Sequence, residues 1–181
     1  MNNSGNQITI GCTKKIQDQI KEVSFKALPK QTISSIHFWH SNLTYFNRRK
    51  AILFTHDLSR FSFLLFNIIK EDLRNFDDLF IHNLIKNLRI ENFTDTQIEK
   101  LLGSSTAKVN LVKTHSRSVL GSMNDFMLMI PYYLERIDLP DPNNKSKNNY
   151  FLNKRLNETP VLCSGDGFFP IEKLKELSEE I

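Results

Sequence analysis

Three of the five histidines stand beside cations or hydroxyls in short polar stretches: His40 in HFWHSNLTYFNRRK, His56 in THDLSR and His115 in THSRS. Imidazole changes charge near neutral pH and takes a proton from a hydroxyl, while a guanidinium binds phosphate oxygens in pairs. These residue types fit two chemistries. One is binding of a phosphate-bearing ligand, a nucleotide or a nucleic acid. The other is metal-independent phosphodiester cleavage, as in an RNase-like toxin, with His40, His56 or His115 as general base on a ribose 2′-hydroxyl and Arg or Lys stabilising the transition state. Metal chemistry is not called for: His37 and His40 point to opposite faces if they lie on a strand, and no cysteine cluster or HExxH pattern completes a site. No cofactor is expected either.

The ligand-binding candidates follow from the same stretches. Arg48, Arg49 and Lys50 form a cationic turn, and Arg60 closes the next one. Arg117 and Ser118 open a helix whose free N–H groups favour an anion. Trp39 or Tyr45 offers a stacking surface, and His40 and Asn42 stand in the same stretch. Asn124 and Asp125 sit in the middle of an otherwise apolar helix, where such poor helix formers call for partners. Each has a plainer alternative: a solvated hairpin tip for Arg48 to Lys50, a simple helix cap for Ser116, and a wet helix face for Asn124 and Asp125. If the functional reading holds, His40, Arg48, Arg60, Arg117 and Asn124 line one pocket, with the basic turn as one wall and the RSVLGSMND helix start as the other.

The elements that must position these residues are legible from periodicity. QITIGC alternates as a strand, and Thr13 is a candidate cap for a helix over TKKIQDQIKEV. Residues 24–35 read as a loop. NLTYFN, AILFTH and FSFLLFNII, separated by NRRK and DLSR, read as three strands of an antiparallel meander, with Asn47 suited to the first turn and Asp57 and Ser59 to the second. Leu73, Phe76, Phe80, Leu84 and Leu88 draw one apolar stripe on a helix. Thr94 to Gln97 form a capping box for a short helix that Gly103 stops. KVNLVKT alternates as a strand, and Val119, Met123, Phe126 and Ile130 mark a further helix that Pro131 should kink or divide.

The predicted fold class is therefore α+β. Its small, mostly antiparallel sheet comes from residues 7–12, 41–46, 51–56, 61–68 and 108–113, packed by helices at 71–90 and 117–137. Residues 1–139 form a single domain, and residues 140–181 add an Asn-rich linker or loop, a turn at Gly165-Asp166-Gly167 and a short C-terminal helix that begins at Pro170 and packs on the same domain.

Charge bears on the partner. Of the net charge of +4, the excess lies in residues 1–60, with nine Lys or Arg against three Asp or Glu. Such a local cationic surface attracts phosphates more than the average suggests. MNNSGNQ lacks the apolar run of a secretory signal, and Cys12 and Cys163 are far apart, so a reducing cytoplasm is the expected setting. The longest apolar run, FMLMIPYYL, is far short of the roughly 18 residues a membrane span needs, so no membrane is expected among the partners.

HFWHSNLTYFNRRKAILFTHDLSRFS, then RSVLGSMNDF, then NETP with FFPIEKL, resembles an uncharacterised family of small bacterial domains of unknown function. The family reads WHxNL, NRRK, T-x-D-x-(S/T)-R and RSVLGSMND in order. The resemblance covers most of residues 7–130 and extends to Asn157–Leu174. It implies that these stretches form one unit and brings no activity or catalytic residue with it. Together with the charge map, it leaves a bacterial or phage cytoplasmic module binding a phosphate-bearing ligand as the first expectation. A protein partner in a toxin–antitoxin or phage-defence system, without catalysis, is the next, and the RNase-like toxin follows.

Overall fold

Alternation of apolar side chains over residues 38–65 produces three adjacent strands, because one residue in two must meet each covering layer. The computed structural model describes residues 7–20, 23–26, 36–103, 108–135, 147–163 and 166–180. In chain order they form β1 (Thr9–Cys12), α1 (Lys14–Gln17), β2 (Phe38–Phe46), β3 (Arg49–His56), β4 (Ser62–Leu65), α2 (Lys70–Arg74), α3 (Phe76–Ile90), α4 (Asp95–Leu102), β5 (Asn110–Lys113), α5 (Arg117–Leu134), α6 (Tyr150–Asn157), β6 (Val161–Cys163), β7 (Asp166–Phe168) and α7 (Pro170–Glu179).

The fold is α+β. Five strands are ordered β4-β3-β2-β1-β5, and β6 and β7 form a separate hairpin. The predicted meander is the β2-β3-β4 half of the sheet, antiparallel throughout. β1 runs parallel to both β2 and β5, which makes the sheet mixed.

Helices cover both faces. Trp39, Leu43, Ile52, Phe54, Phe63 and Leu65 turn to the side of α3, where Phe76, Phe80, Leu84 and Leu88 complete the larger core and α7 adds Leu174. Ala51, Leu53, Leu64 and Phe66 turn the other way, against Val119, Met123, Phe126 and Ile130 of α5 and Leu152 and Leu156 of α6. The two stripes read from the sequence thus lie on opposite sides of one sheet.

Local signals account for most boundaries. Asn47 and Arg48 both take positive φ, at 48° and 63°, in the two-residue turn joining β2 to β3. Thr94 and Gln97 form the expected capping box, and Gly103 ends α4 at φ 58°. Pro131 neither divides nor ends α5, which runs unbroken to Leu134. Its exposed position near the last turn limits the cost to one missing backbone donor.

An unforeseen helix, α6, follows the Asn-rich linker directly and closes the sheet. Asn149 caps α6 by accepting from the Leu152 N–H at 3.1 Å. Four residues of helix rise about 6 Å, close to two residues of strand, so side chains at that spacing can follow an edge strand. Asn157 Oδ1 accepts from the Ser62 N–H at 2.7 Å, and Asn153 Oδ1 accepts from the Leu64 N–H at 2.8 Å. The Phe66 N–H completes the series on the Lys147 carbonyl at 2.8 Å. On the far side of α6, Asn153 donates to Asn87 Oδ1 at 2.9 Å, Asn87 donates to Asn148 Oδ1 at 2.9 Å, and Asn148 donates to Asn83 Oδ1. The exposed edge of β4 is thereby paired with side-chain amides instead of inviting another strand. Residues 143–146 of the Asn-rich stretch lie outside the described residues.

Replacing Asn153 with Ala orphans the buried Leu64 N–H and breaks the link to α3, so unfolding in urea should require about 2–3 kcal/mol less. Lys154→Ala, on the exposed side of the same helix, should stay within about 0.5 kcal/mol of the parent. Equal, small effects at both positions would show that the ladder does not hold the edge.

Candidate functional site

Strand alternation puts His40 on the α5 face of β2, opposite in direction to Trp39. The ring is wholly buried. Space for it comes from Gly11 on the adjoining strand β1: a Cβ there would stand 3.1 Å from His40 Nδ1 and 3.2 Å from Thr114 Cα. Without that side chain, the residues after β5 settle back over β1 onto the imidazole.

Both ring nitrogens have partners. His40 Nε2 lies 2.9 Å from Asp57 Oδ1, and His40 Nδ1 lies 2.9 Å from Thr114 Oγ1. An ionised carboxylate only accepts, so Nε2 carries the hydrogen, and the lone pair on Nδ1 of the neutral ring accepts the Thr114 hydroxyl proton. Burial lowers the His40 pKa, opposed by the hydrogen bond and charge of Asp57 and reinforced by His115 and Arg60. The His40 Nδ1 lone pair thus meets the hydroxyl of half-buried Thr114.

The surrounding residues come from the β3–β4 turn, strand β2 and the β5–α5 junction with the first turn of α5. Asp57 and Arg60 lie in the turn between β3 and β4, where Arg60 adopts φ 60°. Arg60 is 6% exposed and its Nη2 donates to Ser118 Oγ at 3.1 Å, in the first turn of α5. Phe38 packs its ring 5.1 Å from His40 and 5.2 Å from the exposed His115, whose ring is 6.0 Å from His40. Ser116 caps α5 by accepting from the Val119 N–H at 3.3 Å. The first turn of this 18-residue helix carries no acid.

The structure brings His40, Arg60, His115, Arg117 and Ser118 to one end of the α5 face, and leaves the others elsewhere. Arg48 and Arg49 are exposed at the far tip of the β2–β3 hairpin, and Lys50 donates to Gln19 Oε1 at 2.5 Å. Six strand positions separate His40 from Phe46 before that turn, a span of roughly 20 Å at strand rise. The single pocket with the basic turn as one wall is therefore not formed: length of strand keeps the two cationic groups apart. Trp39 is fully buried among Phe61, Phe63 and Phe80, so the core and not a ligand occupies its ring. Tyr45 is exposed, near the hairpin tip.

Asn42 is buried and accepts from Thr13 Oγ1 at 3.1 Å, tying β2 to the residue after β1. Asn124 and Asp125 lie on the wet face of α5. His56 is fully buried, with both ring nitrogens engaged. Its Nδ1 accepts from the Ser59 N–H at 3.2 Å and its Nε2 donates to the Ile36 carbonyl at 2.9 Å, which shapes the β3–β4 turn. His37 faces the other side and contacts the Leu101 carbonyl at 3.1 Å.

Asp57, Thr114 and Gly11 complete the cluster. Sequence reading gave Asp57 only a turn role and Thr114 only a junction role; the signal available was the co-occurrence of T-x-D-x-S-R with THSRS. Among the described residues, no group of three or more His, Cys, Asp or Glu is placed to hold a metal ion. Burial pushes the Cys12 thiol up to about 12, which leaves it without nucleophilic character at neutral pH. No helix among the described residues is long and apolar enough to cross a membrane.

Fold and site together define a class: an α+β domain with helices on both faces of a mixed sheet, and a buried His–Asp pair opening through a threonine beside a helix N-terminus. A family model described as a domain of unknown function, DUF6933, matches residues 9–173, and the chain belongs to that family. No curated protein matches the chain.

Burial holds the His56 pKa down to about 4, against an ordinary value of 6.5. Between those values the unfolded chain binds the extra proton, so stability is fully present above about pH 6.5 and is lost as pH falls towards 4, by on the order of 3 kcal/mol. His40, also lowered, adds in the same direction. Urea unfolding at a series of pH values should show this decline, and an imidazole NMR titration should find His56 far below 6.5. An ordinary titration midpoint for His56 would contradict the assignment.

Proposed function

We propose that this chain binds a phosphate-bearing ligand, a nucleotide or a nucleic acid strand, at the surface formed by Arg60, His115, Arg117 and Ser118. The observation that carries the reading is the placement of Arg60. Its guanidinium is almost entirely withdrawn from water and held on Ser118 in the first turn of α5. A helix N-terminus carries roughly half a positive charge. Arg60 is held at that N-terminus and Arg117 is its first residue, and the first turn of α5 itself carries no acid. A phosphate group complements this positive end of the helix by accepting from the Arg117 guanidinium and from the hydroxyl of the exposed Ser118. The expected setting is the cytoplasm of a bacterium or of a phage-infected cell.

Calorimetric titration with inorganic pyrophosphate and ATP, and anisotropy with a fluorescein-labelled single-stranded RNA, test the reading at low ionic strength. At least one of the three should bind, and its affinity should fall steeply with added salt. Arg117→Ala and Ser118→Ala should each weaken it about tenfold, the effect of losing one charge-assisted hydrogen bond. Arg48→Ala should leave it unchanged. Absence of binding by all three probes, or dependence on Arg48 in place of Arg117 and Ser118, would overturn the proposal.

A further inference from the structure

His40 carries no exposed atom, and its Nε2 is committed to Asp57. It therefore cannot act directly on a ribose hydroxyl presented from outside. The residue that lies between its remaining nitrogen and the surface is the half-buried Thr114, whose Oγ1 is 2.9 Å from Nδ1. The three residues come from β2, the β3–β4 turn and the residue after β5. The absence of a side chain at Gly11 gives their meeting room, since a Cβ there would stand 3.1 Å from His40 Nδ1 and 3.2 Å from Thr114 Cα.

An acceptor nitrogen aimed at a hydroxyl, with the opposite nitrogen oriented by a buried carboxylate, is the arrangement that turns an alcohol into a nucleophile. Here the ring is used the other way round from the familiar serine triad, with Nδ1 on the hydroxyl and Nε2 on the carboxylate. The base–hydroxyl–carboxylate logic is the same. Thr114 lies four residues before Ser118, next to the cationic surface where a phosphate is proposed to bind.

We infer that Thr114 is a catalytic nucleophile towards phosphate esters, with His40 as its base and Asp57 as the residue that positions His40. The inference rests on the phosphate-binding reading above. In the first step a bond forms between Thr114 Oγ1 and phosphorus while the bond from phosphorus to the leaving oxygen breaks. The hydroxyl proton passes to His40 Nδ1, the resulting imidazolium is stabilised by Asp57, and the leaving oxygen takes a proton from solvent. In the second step water attacks phosphorus and the Thr114 Oγ1–phosphorus bond breaks. Water then releases one proton to solvent, and His40 returns its proton to Thr114. The sum is hydrolysis of one ester bond, with the enzyme restored.

The test uses p-nitrophenyl phosphate and bis-p-nitrophenyl phosphate, whose leaving group needs no general acid. The full chain should release a rapid burst approaching one equivalent of nitrophenolate with at least one of them. Acid-quenched protein should then carry the phosphoryl adduct on Thr114 by peptide mass spectrometry. Thr114→Val, which keeps the shape, should abolish burst and adduct while leaving circular dichroism and pyrophosphate affinity as in the parent. Thr114→Ser should retain the burst. Parent protein that binds pyrophosphate but shows neither burst nor adduct overturns the nucleophile and leaves the binding reading standing. A burst that survives in Thr114→Val overturns it as well. Loss of pyrophosphate binding in the parent counts against the binding reading itself.

Discussion

The arrangement of the candidate site depends on how one buried ring is satisfied. A neutral imidazole offers one donor and one acceptor, and leaving either unpaired in the interior costs about 1–3 kcal/mol. His40 meets that demand with Asp57 on one side and Thr114 on the other. Those two partners belong to segments distant in sequence, so satisfying the ring draws the β3–β4 turn and the start of α5 to the same place on the sheet. Arg60 arrives with the first segment, and His115, Arg117 and Ser118 with the second. Gly11 eases the meeting, because a side chain there would crowd both the ring and the Thr114 backbone.

The asparagine ladder supports that arrangement from the side. Asn157 holds Ser62 through both backbone groups, at 2.7 and 2.9 Å. Ser62 in turn donates its hydroxyl to the Arg60 carbonyl at 2.8 Å and meets Thr55 Oγ1 at 2.8 Å. The helix that closes the sheet edge thus also stiffens the turn carrying Arg60 in its left-handed conformation. α6 packs Leu152 and Leu156 into the α5-side core while its amides reach α3. It braces both layers at once.

Much of the scaffold was legible because periodicity reports which faces are buried. The three meander strands and the apolar stripes of α3 and α5 each repeat at the spacing of their element. α6 escaped because NNYFLNKRLN is rich in poor helix formers, and its signal was of another kind: Asn149, Asn153 and Asn157 at steps of four, matched by Asn83 and Asn87 at the same step in α3. The candidate site was half legible. DLSR lies in the β3–β4 turn and THSRS at the β5–α5 junction, as their composition suggests, yet nothing local says that Asp57 and Thr114 meet through His40. Trp39 and His40 differ by one position, and alternation sends one into the aromatic core and the other into the site. Arg48 and Arg49 adjoin the same strand, and its length carries them to the opposite end.

The central claim is that ligand recognition belongs to the Arg60 and α5 end of the sheet and not to the basic hairpin. Backbone and side-chain amide NMR of the isotopically labelled protein, titrated with inorganic pyrophosphate, measures this directly. The account predicts saturable shift changes concentrated at Thr114 to Ser118 and at the Arg60 guanidinium, with residues 47–50 unmoved. Shift changes centred on Arg48, Arg49 and Lys50, or none at any concentration, would contradict it.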